Sequence, residues 1–302
     1  MKRVTANLQG GLGNQLFILF ASYNIALQHN AVLILDKTLM PRSDNKRLDY
    51  IEGIEIKFGE SHLLYGVKEF NKTQITLLME RAVYKLLSRR EVFARFLKQY
   101  RSRVFGFDPN IFLLKPSVAL TGYFQTYRYV NDIVSNYGVV SIKQSSPSLW
   151  FKTLEDQILN STNSVAIHVR RGDYADHKNT LGMLADEYFL TALRHVQELT
   201  TINRVFIFSD SVPAANLLKA QIMDLDCIVV TPPKDSSPLE SMLLMSKCGF
   251  RIISNSTFSW WSGYLGLGQE KVVAPFPWYR NHEEPEFLVP LEWKRIDSIW
   301  VD

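Results

Sequence analysis

The 302-residue chain is poor in cysteine, holding only Cys227 and Cys248. Neither has metal-ligand spacing and both sit in apolar runs. A disulfide framework and a zinc ribbon are therefore excluded, and two buried thiols are expected. No apolar run reaches the ~18 residues of a membrane span, and no apolar leader precedes the first strand-like segment, Val4–Leu8. The expectation is a cytoplasmic protein with at most peripheral contact at the inner face of a membrane. Charge of one sign is scarce too, with a net charge of +4 and a pI of about 8.9. That balance suits a small anionic substrate rather than nucleic acid. His29, His62, His177, His195 and His282 have no partners at useful spacing, and Asp224-Leu225-Asp226 precedes a strand instead of ending one. No metal site is expected. The glycan-acceptor patterns at Asn71, Asn160 and Asn255 read as chance.

What is present is ordinary globular material in an ordered pattern. Hydrophobic residues make up 46% of the chain, and at ~150 residues per domain two domains are expected. Strand-like and helix-like segments alternate, which argues an α/β fold with mainly parallel strands. The domains are drawn at 1–145 and 146–302, with the proline-broken polar run 143–150 as linker. The first domain opens with a short strand, a glycine-rich turn, a helix from Asn14 to about Gln28 and a second strand at Ala31–Leu35. From Lys37 to Phe107 the pattern reads as helices and loops. The second domain is more regular. Strands are expected at 164–169, 204–209, 227–231, 251–254 and 271–274, with helices near 186–198, 211–220, 238–247 and 257–266.

Four segments carry chemistry. Ser164–Val169 is a buried-looking strand that runs into Arg170-Arg171-Gly172-Asp173. Two guanidinium groups at a strand's carboxyl end can clamp a pyrophosphate, each with a planar fork of donors. A surface salt-bridge cluster is the bland alternative. Asn255-Ser256-Thr257-Phe258-Ser259-Trp260-Trp261 follows another strand and opens a helix. Its hydroxyls cap that helix, receive phosphate oxygens at its positive end, or do both. Asp210 ends a third strand, and either caps the next helix or reads the N1 and N2 donors of guanine. Glu240, near a helix start, caps or touches a donor sugar. At the other end of the chain, Gly10-Gly11-Leu12-Gly13-Asn14-Gln15 forms a strand-to-helix turn. Gly11 and Gly13 with Asp36 about 20 residues on invite a dinucleotide site, but position 16 is leucine where a third glycine belongs. Otherwise the glycines admit a ligand close to the backbone, and Asn14 and Gln15 offer amides to sugar hydroxyls.

Taken together, these segments resemble the bacterial α-1,2-fucosyltransferases of glycosyltransferase family 11. The resemblance rests on Gly10–Gln15, Gly122-Tyr123-Phe124-Gln125, His168–Tyr174, Phe208-Ser-Asp210, Met242–Ser246 and Ser254–Trp261, in the family's order over nearly the whole chain. Where the family often has a second acid after Asp210, this chain has Ser211. The resemblance implies a GT-B architecture of two Rossmann-like domains facing a cleft. The N-terminal domain would serve the acceptor and the C-terminal one GDP-β-L-fucose, with inversion to an α-1,2 linkage on a terminal galactose and no metal or other cofactor. It places His168 and Asp210 near the guanosine, Arg170 on the pyrophosphate with Asn255, Ser256, Thr257, Phe258 and Ser259 around it, and Glu240 by the donor sugar. Arg171 becomes an internal brace. Asp173, the only acid in the strongest motif, is the candidate base, with Asn14 as an orienting amide. Gly11, Gly13, Gln15, Tyr123 and Gln125 fall to the acceptor side. An NAD(P)-dependent oxidoreductase using the Gly10–Gly13 turn, and a non-catalytic carbohydrate-binding protein suggested by six Trp and thirteen Tyr, are the competing readings.

Overall fold

A computed structural model describes residues 2–37, 54–58, 61–62, 65–68, 98–172 and 179–301. Asp173, Tyr174, His177 and Asn71 lie outside the described residues. The chain divides into two compact units, Met1–Ser141 with Pro285–Leu288, and Ile142–Glu284 with Val289–Asp302.

The first unit is a five-stranded sheet. Its strands are β1 (Arg3–Asn7), β2 (Val32–Asp36), β5 (Tyr65–Lys68), β6 (Gln99–Arg101) and β7 (Val118–Thr121), in the order β5-β2-β1-β7-β6. All its pairings are parallel. Two further strands, β3 (Ile54–Phe58) and β4 (Ser61–His62), pair antiparallel. Helix α1 (Leu12–Gln28) links β1 to β2. Leu12, Leu16 to Ala21, Ile25 and Ala26 are all buried, so this helix is held by apolar packing around most of its circumference. Helix α2 (Arg128–Tyr137) buries Tyr129, Val130 and Ile133. The expectation of helices and loops between Lys37 and Phe107 is corrected where residues are described. Strands β3 to β6 lie there, too short or too polar to announce themselves by periodicity.

The boundary between the units falls inside β8 (Val140–Gln144). Of the expected linker 143–150, residues 145–148 are irregular, between the end of β8 and the start of helix α3 (Leu149–Leu159). Ser148 caps α3 by accepting from Phe151 N at 3.0 Å.

The second unit holds β9 (Ser164–Val169), α4 (Asp186–Leu199), β10 (Arg204–Ser209), α5 (Val212–Gln221) and β11 (Cys227–Val230). After these come α6 (Pro238–Lys247), β12 (Phe250–Ile252), α7 (Thr257–Leu265), β13 (Val272–Phe276) and β14 (Lys294–Asp297). Its sheet order is β11-β10-β9-β12-β13-β14, parallel throughout. Every residue of β9 is buried, as expected for the centre of a parallel sheet covered on both faces. Val165, Ile167, Val169, Phe189, Leu193, Val205, Ile207, Leu218 and Ile252 share one core. Truncating any of the large side chains to alanine is expected to remove about 2–5 kcal/mol of stability. Met242, Met245, Cys227 and Cys248 are core residues as well. The charged edge strand β14 was not anticipated, since an edge strand needs no apolar run.

The order of strands positions the chemistry. In the second sheet the chain runs outward from β9 through β10 to β11, then restarts at β12 and runs the other way. The switch point lies between β9 and β12. In the first sheet it lies between β1 and β7. Ligands of open parallel sheets sit outside the carboxyl ends of strands at such points. Among the described residues no helix is long and apolar enough to cross a membrane.

Candidate active site

In the second unit, the side chains after β9, β10 and β12 gather at the switch point. The His168 side chain is buried, and its Nδ1 lies 2.8 Å from Ser254 Oγ. This bond ties the last turn of β9 to the segment leaving β12. The Phe258 ring lies tilted against the imidazole, 5.6 Å between centroids. Burial, reinforced by the Arg170 guanidinium, pushes the His168 imidazole down to about 3. The imidazole is therefore neutral at any working pH. The unfolded chain takes up this proton near 6.5 and the folded chain only near pH 3. Acid thus favours unfolding throughout that window. The stability is whole above about pH 6.5 and falls towards pH 3, by at most about 1.4 kcal/mol per pH unit. A His168→Asn variant should lose this slope. Denaturant midpoints at pH 7 and 4.5 check it, and an equal fall in both proteins excludes His168 as the source.

The two consecutive arginines diverge. Arg170 Nη1 sits 2.9 Å from Asp210 Oδ2, and both side chains remain about a quarter exposed. Asp210 Oδ1 also accepts from the Arg171 backbone N–H at 2.8 Å. Arg171 turns away from this group. Its Nη1 donates to Leu184 O at 2.8 Å and to Arg170 O at 3.2 Å, and its Nη2 meets Asp186 Oδ1 at 2.8 Å. Gly172 makes the carboxylate's approach possible, since a Cβ there would lie 2.5 Å from Asp210 Oδ2. Ser211, not Asp210, caps α5, which removes the capping reading of Asp210.

Three expected donor contacts are engaged by partners within the chain. Asn255 is 1% exposed, and its Nδ2 donates to Leu181 O and Gly182 O, each at 3.0 Å. Ser259 is fully buried, with its hydroxyl aimed at Ser254 O and Ser256 O. Both Glu240 oxygens accept from Ser148, Oε1 from the backbone N–H at 2.6 Å and Oε2 from the hydroxyl at 2.9 Å. Trp260 and Trp261 are core residues, the first stacked on Tyr264 at 5.0 Å. Ser256 is the α7 cap, accepting from Phe258 N at 3.3 Å. Thr257 and Phe258 are half-buried at the start of that helix.

The segment after Leu181 is held by several elements. Arg280 N donates to Leu181 O, and Ala185 N and Val301 N bond Ile299 O and Met183 O. Gly182 has φ +83°, and a Cβ on it would lie 2.5 Å from the Trp300 ring.

In the first unit, the ends of β1 and β7 are laced together. Asn7 Nδ2 donates to Thr121 Oγ1 at 2.8 Å and Gln9 Nε2 to Gly122 O at 3.0 Å. Gln125 Nε2 donates to Asn14 Oδ1 at 3.0 Å. Gly10 has φ +72°, where glycine is favoured. Gly11 has ordinary extended backbone, and a Cβ there would meet nothing within 4 Å. Gly13 is buried within α1. Gln15, expected on the acceptor side, is engaged within the turn. It is fully buried and closes the turn by donating to Gly10 O at 3.0 Å. Asn14 stays half-buried, Gln125 is 6% exposed, and the Tyr123 ring stacks on Phe105. The readings of the sequence did not single out Ser254, Gly172 or Phe105. Ser254 and Gly172 could have been suspected from their places inside the motifs; Phe105 carried no signal.

A family model described as glycosyl transferase family 11 matches residues 114–297. The chain is 28% identical to an Escherichia coli protein named alpha-1,2-colitosyltransferase, over 99% of this chain and 100% of that one. It is 24% identical to the E. coli O-antigen biosynthesis glycosyltransferase WbnK, over 93% and 97%. Among solved structures, it is similar to the fucosyltransferase NodZ from Bradyrhizobium (TM-score 0.52, 14% identity, 88% of this chain and 93% of that one). It is also similar to a mutant of Arabidopsis thaliana FUT1 in complex with GDP (TM-score 0.53, 13% identity, 88% and 68%). The fold is of the GT-B type, with two parallel α/β units, and the chain belongs to glycosyl transferase family 11.

Proposed function

We propose that this protein is an inverting, metal-independent galactoside α-1,2-fucosyltransferase, moving L-fucose from GDP-β-L-fucose to the 2-hydroxyl of a terminal galactose. The observation that carries the reading is the Arg170–Asp210 pair at the switch point of the second sheet. A guanidinium placed there is the group that a departing pyrophosphate needs. Names of relatives support the coarser part, glycosyl transfer: one is called an alpha-1,2-colitosyltransferase, the other an O-antigen glycosyltransferase.

In this reading the second unit takes GDP-fucose through His168, Arg170, Asp210, Ser256, Thr257 and Phe258. Asp210 aims the Arg170 guanidinium and keeps lone pairs for the guanine edge. The first unit takes the galactoside through Asn14, Gly11, Tyr123 and Gln125. The acceptor's 2-hydroxyl oxygen attacks C1 of fucose on the face opposite GDP. The bond from C1 to the β-phosphate oxygen breaks and its electron pair leaves with GDP. Asp173 takes the hydroxyl proton. Arg170 offsets the charge growing on the phosphate, a contribution of about 10²–10³ in kcat for a well-aimed donor. The work is placed at the cytoplasmic side, with at most peripheral membrane contact.

A colitosyl donor is a second reading, favoured by the full-length likeness to the colitosyltransferase. Both are tested in excess chelator with lactose and either GDP-fucose or GDP-colitose. Fucosyl transfer with an α-1,2 linkage, read by NMR, is expected. Transfer of colitose alone establishes the second reading, and restoration by magnesium overturns metal independence. In thermal shift, GDP is expected to raise Tm and NAD is not. A response to NAD alone, or to lactose without GDP, would favour the oxidoreductase or the binding protein.

A further inference from the structure

One aromatic ring in the first unit, Phe105, stands clear of its core and stacks on a half-buried neighbour, Tyr123. Phe105 and Tyr123 stack face to face, 5.4 Å between centroids and 14° between planes. Phe105 is 59% exposed. They come from the loops that leave β6 and β7, at the carboxyl ends of neighbouring strands beside the switch point. Their neighbours in sequence behave differently. Phe124 is fully buried against Tyr129. Phe107 lies under the Arg128 guanidinium and against Phe287. The chain thus had apolar places for aromatic rings in both loops and left Phe105 outside, stacked on half-buried Tyr123.

The pair is held in place. Gln125 N donates to Phe105 O at 2.6 Å, and Ser102 N to Thr121 O at 2.9 Å. Between these bonds, Gly122 has φ +158°, and a Cβ there would lie 2.9 Å from the Phe124 ring and 3.0 Å from Ser102 Cβ. Gln125 performs two tasks. Its backbone fixes the Phe105 loop, and its side chain holds the half-buried Asn14 amide. One residue therefore links an exposed aromatic face to an amide pair.

Resting on the proposed function, we infer that Phe105 and Tyr123 form the platform on which the acceptor's galactose ring lies. A galactopyranose offers a patch of C–H groups on one face and hydroxyls around its rim. The C–H patch suits the negative face of an aromatic ring. The rim hydroxyls suit amides, which donate and accept. A flat nucleotide base also stacks on aromatic rings, so the test separates donor from acceptor.

Steady-state kinetics on the full chain with GDP-fucose and lactose compare wild type with Phe105→Ala, Phe105→Leu and Phe105→Tyr. The alanine variant is expected to raise the KM for lactose about tenfold, with the KM for GDP-fucose little moved. Tyrosine restores the lactose KM, and leucine, apolar but without a ring, does not. An unchanged lactose KM in Phe105→Ala, an equal rise in the donor KM, or full rescue by leucine overturns the platform. If wild type transfers to no galactoside, the proposed function itself fails. The platform is then read by saturation-transfer NMR of methyl β-galactoside. Signals present in wild type and lost in Phe105→Ala support it; absent or unaltered signals refute it.

Discussion

Arg170→Ala is expected to lower kcat by about 10²–10³ at saturating donor, with the fold intact. The stability side follows from exposure. Arg170 and Asp210 are 26% and 24% exposed, and ion pairs near water contribute only about 0–1 kcal/mol. After the change, Asp210 keeps its bond from the Arg171 backbone N–H, so no carboxylate is stranded. The kinetic side follows from position. No other guanidinium ends a strand at the switch point among the described residues, because Arg171 is spent on Leu184 and Asp186. Arg170→Lys should recover part of the rate, since lysine supplies the charge without the planar fork. The checks are kcat from initial rates and a thermal melt. A rate near wild type in Arg170→Ala would remove Arg170 from the leaving-group clamp.

Asp173→Asn is expected to abolish detectable transfer and leave GDP affinity intact. General-base catalysis contributes about 10²–10⁴ to rate, and an amide of nearly the same shape accepts no proton. Binding should persist, because Arg170, His168 and the start of α7 supply the donor contacts in the proposed reading. The chain just before Asp173 is also firmly set, with Arg171 tied to Asp210, Leu184 and Asp186. Calorimetric titration with GDP, beside the transfer assay, checks both halves. Retained transfer moves the base to another residue; lost GDP binding makes Asp173 part of the donor grip.

Much of the second unit could be read from sequence. β9 and β10 show at once because a central parallel strand is dominated by apolar residues, as Val165–Ile167 and Val205–Phe208 are. β14 stayed hidden because Lys294-Arg-Ile-Asp at a sheet edge can be polar. Helix α3 was obscured by Pro147 and the serines before it, although Phe151, Leu154 and Ile158 mark its buried stripe. Within the site, residue type located the motifs but not the direction of their side chains. Nothing in Arg170-Arg171 says which one turns to the switch point; the carbonyl of Leu184 and the carboxylate of Asp186 decide. Asn255, Ser259 and Glu240 were read as ligand contacts because they are polar and near the motifs. For Asn255 and Glu240 the partners, Leu181 and Ser148, lie 74 and 92 residues away in sequence, beyond the reach of local pattern; Ser254 lies only five residues from Ser259, but its direction is set by the fold.

The lock between Gly182 and Trp300 has an evolutionary consequence. The indole occupies the space in which any larger residue at 182 would put its Cβ, and the left-handed backbone at 182 also disfavours a side chain. The two positions cannot drift independently: descendants that gain bulk at 182 must shed it at 300 and relax the turn. Because Leu184, a few residues on, carries the carbonyl that steadies Arg171, substitutions at position 300 are filtered by selection on the arginine motif.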